Sequence, residues 1–117
     1  ESDFLELLKA AATGKLASYH LKTSPLVSAT VMAVSRGYPG DFEKGKVISG
    51  YENVEDACLF HAGTRQESGV LTTSGGRVLA ISATGQNRKE ALAKCYQNLE
   101  LVSYEGKYFR HDIGFDL

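Results

Sequence analysis

Arg110, His111 and Asp112 stand in a row near the end of this 117-residue chain, with Lys107 three places earlier. An arginine can hold a phosphate or carboxylate through two parallel hydrogen bonds, so a small anion site is one reading of the segment. A solvated edge strand blunted by charges is the other, and residue types alone do not choose between them. The three histidines, His20, His61 and His111, lie at no metal-ligand spacing from one another or from a cysteine, which gives zinc no support. His61, in FHAGT, falls in an apolar run where a hydrogen-bonded core histidine is the usual case; contact with a substrate group or a neighbouring loop stays open. No G-x-S-x-G nucleophile motif occurs.

A second candidate is RGYPGDFEKGK, residues 36–46. Gly40, four further residues and Gly45-Lys46 match the first seven positions of the phosphate-cradling pattern G-x-x-x-x-G-K-[ST]. The eighth is Val47, which has no hydroxyl for a magnesium ion, and VISGY is a poor start for the helix whose amides would face the phosphates. Asp41 and Glu43 would repel a polyphosphate. The pattern is therefore not a P-loop, and a long β-hairpin connection is the reading favoured by residue types. Lys44 in that connection admits a biotinyl- or lipoyl-type carrier lysine, but the flanking residues of such carriers are absent.

These residues must be positioned by an ordinary single-domain length of chain. Thirteen basic and fourteen acidic side chains leave a net charge of −1, so no basic field points to nucleic acid or an anionic membrane. No apolar run approaches the ~20 residues that span a bilayer, and no signal-peptide pattern opens the chain, which predicts a cytoplasmic protein. Cys58 and Cys95 lie in apolar segments and read as two buried free thiols.

The spacing predicts a helix over 2–14, with Asp3 and Glu6 as a capping pair, an apolar stripe of Phe4, Leu7, Leu8 and Ala11, and Gly14 as the stop. That stripe can cover this domain's own sheet or, in the preferred reading, belong to the tail of a larger domain upstream. From residue 26 the period changes to two: strands are expected at 26–35, 46–50, 57–63, 69–73 and 77–85, with Gly75-Gly76 as a hairpin signal. A second helix is expected over 87–99, opened by Asn87 with Glu90, followed by strand-like alternation to residue 117. The sum is an α+β domain, mainly antiparallel sheet, with one long helix near the C-terminus and one N-terminal helix.

GYPGDFEKGKVISG (37–50), FHAGT (60–64), GVLTTSGGRVLAISATG (69–85) and RHDIGFDL (110–117), in this order and spacing, resemble the C-terminal domain of the phosphoribosylamine–glycine ligases, also called glycinamide ribonucleotide synthetases. The resemblance runs over essentially the whole chain. It implies the C-terminal domain fold of the ATP-grasp purine-synthesis ligases, a rudimentary barrel-sandwich. Residues 1–23 would be a terminal helix and linker from the end of the ATP-grasp domain, and 24–117 the C-terminal domain itself.

The activity implied is ATP-dependent joining of glycine to 5-phosphoribosylamine through a glycyl phosphate, chemistry that depends on positioning and charge neutralisation by magnesium or manganese. The nucleotide and metal machinery lies upstream in that family. The chain is thus expected to be a C-terminal fragment, with no catalytic or metal-binding residue of its own and neither ATP nor metal bound. It would be inactive alone and pack against the missing ATP-grasp domain.

By position in the family, Arg110 with Asp112 resembles the element that grips the ribose phosphate, with Lys107 as a helper. Tyr38, Pro39 and Gly40 would approach substrate in a stiff, unbulky turn, and His61 is carried as a further substrate contact. Gly75, Gly76 and Arg77 read as structural. The alternative of another class is a non-catalytic α+β interaction module on the same scaffold.

Overall fold

The computed structural model describes residues 1–115. The N-terminal helix, α1, spans Phe4–Ala12, and its Asp3 cap accepts a hydrogen bond from the Glu6 backbone N–H. It buries none of its residues: Phe4 is 70% and Leu5 72% exposed. The helix is tied instead to the stretch around Tyr19 and Lys22. The Tyr19 hydroxyl donates to the Asp3 carbonyl at 3.0 Å and the Lys22 N–H to Ser2 Oγ at 2.7 Å. Its apolar stripe does not cover the sheet.

The body is built on β1 (Val27–Ser35), β2 (Cys58–His61), β3 (Thr64–Glu67), β4 (Val70–Thr73), β5 (Arg77–Gly85), α2 (Arg88–Leu101) and β6 (Lys107–Tyr108). A four-stranded antiparallel sheet runs β2-β5-β1-β6, and β3 pairs with β4 in a separate two-stranded ribbon. Val27 faces Gly85 and Ala33 faces Leu79 across the long β1–β5 ladder. Val78, Leu79, Ala80 and Ile81 are all buried in succession, so β5 is covered on both faces. The helix α2 packs on β1 and β5 through Ala91, Cys95, Asn98 and Leu99. Ile48, Leu71, Val102, Tyr104 and Phe109 complete the core. Each fully buried aliphatic side chain, such as Leu79, Ile81 or Leu99, contributes about 1.5–3 kcal/mol.

The opening of α2 matches its sequence signature closely. Asn87 Oδ1 accepts from the Glu90 N–H at 3.0 Å, and Glu90 reaches back to accept from the Gln86 N–H at 2.9 Å.

Several connections differ from the sequence reading. Residues 46–50 form no strand; they make only isolated bridges, Val47 to Thr72 and Ser49 to Ser103. The 36–46 segment is consequently not a hairpin connection, because β1 pairs with β5 and β6 and not with residues 46–50. Gly75-Gly76 is likewise no hairpin turn, since β4 and β5 belong to different sheets. The true two-residue hairpin is Ser68-Gly69, both at positive φ, and it joins β4 to β3, a strand that polar TRQE does not announce. The closing alternation yields only the two residues of β6; Asp116 and Leu117 of the RHDIGFDL motif lie outside the described residues. Cys95 is buried but Cys58 is exposed, because β2 is a sheet edge where alternate side chains face solvent.

Candidate functional site

Three of the sequence motifs meet at one end of the sheet. Where β1 ends, the Ser35 N–H donates to the Gly76 carbonyl at 2.8 Å and Ser35 Oγ to the Gly75 carbonyl at 3.1 Å. From the other side, Gly63 accepts from the Ser74 and Gly75 N–H groups at 2.8 and 3.1 Å. A Cβ on Gly63 would lie 2.7 Å from the Gly75 Cα, so this backbone-to-backbone contact admits no side chain there. The loops carrying GYPG, FHAGT and TTSGGR are thereby fastened to one another.

Within that junction, Gly37 has a φ of 95°, and a side chain there would run into the Asp41 carbonyl. The loop turns tightly at this glycine and presents Tyr38, whose bond to Pro39 is cis. The Tyr38 ring rests on Gly76 and makes an edge contact with Phe42, centroids 6.2 Å apart. It remains 40% exposed. His61, at the end of β2, is exposed rather than in the core, and its Nδ1 lies 3.1 Å from Thr64 Oγ1.

Arg110 stands elsewhere. Its Nε and Nη2 donate to the two Asp112 carboxylate oxygens at 2.8 and 2.9 Å, a fork-to-fork pair on the surface. The hydrogen bond to Arg110 holds Asp112 below the usual carboxylate range. The neighbouring His111 ring stacks with Tyr96 and meets Phe109 at a tilt, and the Tyr96 hydroxyl donates to the Arg110 carbonyl at 3.1 Å. Arg110 comes just after β6 at one sheet edge and His61 ends β2 at the other, with β5 and β1 between those strands. Because β1 and β6 are antiparallel, the chain also leaves them in opposite directions toward Tyr38 and Arg110. The predicted contact residues thus fall into two groups on the sheet.

Lys107 is committed locally. Its ammonium donates to the Leu99 carbonyl at 2.7 Å and the Val102 carbonyl at 2.6 Å, closing the C-terminal end of α2. Nothing in the spacing of Lys107 and Arg110 separates a helix-end lysine from a phosphate ligand, because the α2 terminus is brought to it only by the fold.

The segment 36–46 borders a cleft of about 530 Å³ lined by Arg36, Asp41, Phe42, Glu43, Lys46 and Glu105. Lys46 is the residue that would touch phosphate in a P-loop. Here its ammonium sits 2.7 Å from Glu43 and 3.0 Å from Glu105. Hydrogen bonding to Lys46 holds Glu43 below its ordinary value, while Glu43 and then Glu105 raise Lys46. No helix opens after it, and the Gly45 N–H is used by the Thr73 carbonyl. The rejection of a P-loop therefore rests on geometry as well as residue types. Lys44 lies over the Phe42 ring, 5.9 Å from its centroid, in a loop that joins no paired strands, unlike a carrier lysine at a hairpin tip. The Glu43–Lys46 spacing was readable in the sequence; Glu105 was not. Among the described residues no group of three or more His, Cys, Asp or Glu side chains is placed to hold a metal ion. No described helix is long and apolar enough to cross a membrane.

The fold and the site define an antiparallel α+β domain whose glycine-rich loops are fastened to one another at one sheet end. The chain belongs to the family described as phosphoribosylglycinamide synthetase, C domain, which matches residues 28–116. It is 43% identical over 114 residues to phosphoribosylamine–glycine ligase of Caldanaerobacter subterraneus, covering 97% of this chain and 27% of that protein. The Vibrio cholerae protein of the same name is 41% identical over 117 residues, covering 98% of this chain and 27% of the relative. The crystal structure of phosphoribosylamine–glycine ligase from Thermotoga maritima superposes with a TM-score of 0.73 at 34% identity, covering 92% of this chain and 27% of that one. The chain thus spans about a quarter of the length of these relatives.

Proposed function

We propose that this chain acts as the C-terminal domain of a phosphoribosylamine–glycine ligase, a cytoplasmic ATP-dependent enzyme of purine biosynthesis that joins glycine to 5-phosphoribosylamine by way of a glycyl phosphate. The observation that carries this reading is near-complete coverage of the chain by proteins of that name at 41–43% identity. In this reading ATP and its magnesium or manganese ions fall to the remainder of the enzyme. The isolated chain is inactive in this reading.

The exposed face of α1, with Phe4, Leu5 and Leu8 uncovered, supports residues 1–23 belonging with the ATP-grasp part and packing against it. The same exposure would suit an interaction module. A location far from any cleft would favour that alternative.

The two groups of contact residues reach different parts of a cleft that holds three substrates. Arg110 receives the ribose phosphate, which competes with Asp112 for the same guanidinium fork. The loop 37–40 and His61 face another part of the cleft.

The test uses the full-length protein. It should form glycinamide ribonucleotide and ADP from ATP, glycine and 5-phosphoribosylamine, and absence of that product would remove the ligase assignment. Arg110→Ala should raise the KM for 5-phosphoribosylamine by the equivalent of about 1.5–3 kcal/mol, the scale of a hydrogen bond to a charged group. Unchanged constants would take Arg110 out of the phosphate site.

A further inference from the structure

Gly76 is a glycine for a reason its own backbone does not supply. It is absent from the residues at positive φ, so its backbone conformation does not call for glycine. Its carbonyl accepts from Ser35, a bond that every residue type can make. The obstacle to a side chain is the Tyr38 ring: a Cβ at position 76 would overlap Tyr38 Cδ2 and lie 2.7 and 2.9 Å from Cε2 and Cγ. The nearest atoms all belong to that one ring. The ring cannot retreat freely either, because the loop below it is turned by Gly37 against the Asp41 carbonyl and Phe42 stands at its edge.

We propose that Gly76 is a positioning residue of the ligase: its missing side chain is the floor on which the Tyr38 ring is seated, and this seat sets where the loop 37–40 meets substrate. The inference rests on the proposed placement of this loop against the substrate cleft. The ring is well suited to such a role. Its Cδ2 side lies on glycine and 40% of the residue stays exposed. Among the described residues its hydroxyl makes no hydrogen bond within the domain, which leaves a donor and an acceptor for a ligand. A flat ring held by backbone on one side meets a ligand with little conformational freedom left to lose.

The experiment is a double-mutant cycle in the full-length ligase, with KM and kcat measured separately for ATP, glycine and 5-phosphoribosylamine. Tyr38→Ala should lower kcat/KM for at least one substrate by about 10- to 100-fold, the scale of a misplaced contact. Gly76→Ala should lower the same constant by a comparable factor, and the double variant should be no worse than Tyr38→Ala alone. Tyr38→Phe, which keeps the ring and its seat, separates the hydroxyl from the ring.

If Tyr38→Ala changes nothing, the loop does not meet substrate and this inference falls with that reading. If Tyr38→Ala is damaging but Gly76→Ala is silent, or adds its full effect in the double variant, the loop reading survives and Gly76 is not its positioning residue. Should Gly76→Ala fail to yield folded enzyme, the double variant decides. Recovery of soluble protein on removing the ring supports the seat, and no recovery refutes it.

Discussion

The side chain of Asn98 clasps the backbone of Glu55 from both sides. Oδ1 accepts from the Glu55 N–H at 2.9 Å and Nδ2 donates to the Glu55 carbonyl at 2.9 Å. Nδ2 also donates to the Lys94 carbonyl one helical turn back, at 2.9 Å. A buried polar residue on the packed face of α2 thereby fixes the loop that leads into β2. Asn98→Leu keeps the branched outline in a somewhat larger side chain but leaves the Glu55 amide and carbonyl without these partners. We expect it to destabilise the domain by about 2–4 kcal/mol, since orphaned backbone groups add to the lost bonds. Urea denaturation read by circular dichroism checks this, and a loss below about 1 kcal/mol would mean water replaces the clasp.

Lys107 bears a comparable prediction at the other end of the helix. Replacing it by methionine keeps an unbranched apolar stem but removes the ammonium from the Leu99 and Val102 carbonyls and from over the Phe109 ring. The expected loss is about 1–3 kcal/mol. Amide hydrogen exchange should show the change concentrated in the last turn of α2. Uniform loosening of the whole sheet would count against a local cap.

The cysteines should behave as an unequal pair. Cys58 is exposed on an edge strand, whereas Cys95 is buried, its thiol pushed up by desolvation and donating to the Ala29 carbonyl at 3.3 Å. Thiolate is the reactive form, so a thiol-specific reagent should label Cys58 in the native protein and reach Cys95 only on unfolding. Two equally fast thiols would place Cys95 outside the core.

Asp112 should titrate below the ordinary value of 3.8, chiefly because Arg110 hydrogen-bonds the ionised form. A carboxyl depressed in the folded state contributes stability above its unfolded pKa and loses it as pH falls through the folded value. The pair is exposed, so its contribution is small, and the midpoint is the better observable. Carboxyl carbon NMR should place it below 3.8, and Arg110→Ala should move it back up. An unshifted midpoint in the variant would deny the pair.

Local signals in the sequence proved faithful at the start of α2 and along β5, though not for the Gly75-Gly76 turn. Asn87 with Glu90 sets the start of α2, and the RVLAISATG run became β5 from Arg77 to Gly85, because capping and burial periodicity operate within a few residues. Readings that needed a partner were less secure. The strand expected at 46–50 dissolves into two bridges because its neighbours are Thr72 and Ser103, distant in sequence. Cys58 looked buried in its apolar run, and only its place at the sheet edge exposes it.

The sequence by itself determined the class of the domain, its two helices and its principal strands. Through four motifs in register it also determined the family. Periodicity, caps and the order of loops are written along the chain. Tertiary structure alone decided that GYPG, FHAGT and TTSGGR share one end of the sheet while Arg110 stands at another edge. It also committed Lys107 to the helix end and made Gly76 the seat of a tyrosine. Those facts depend on which backbones approach each other across dozens of residues, and a residue's type does not record what is folded against it.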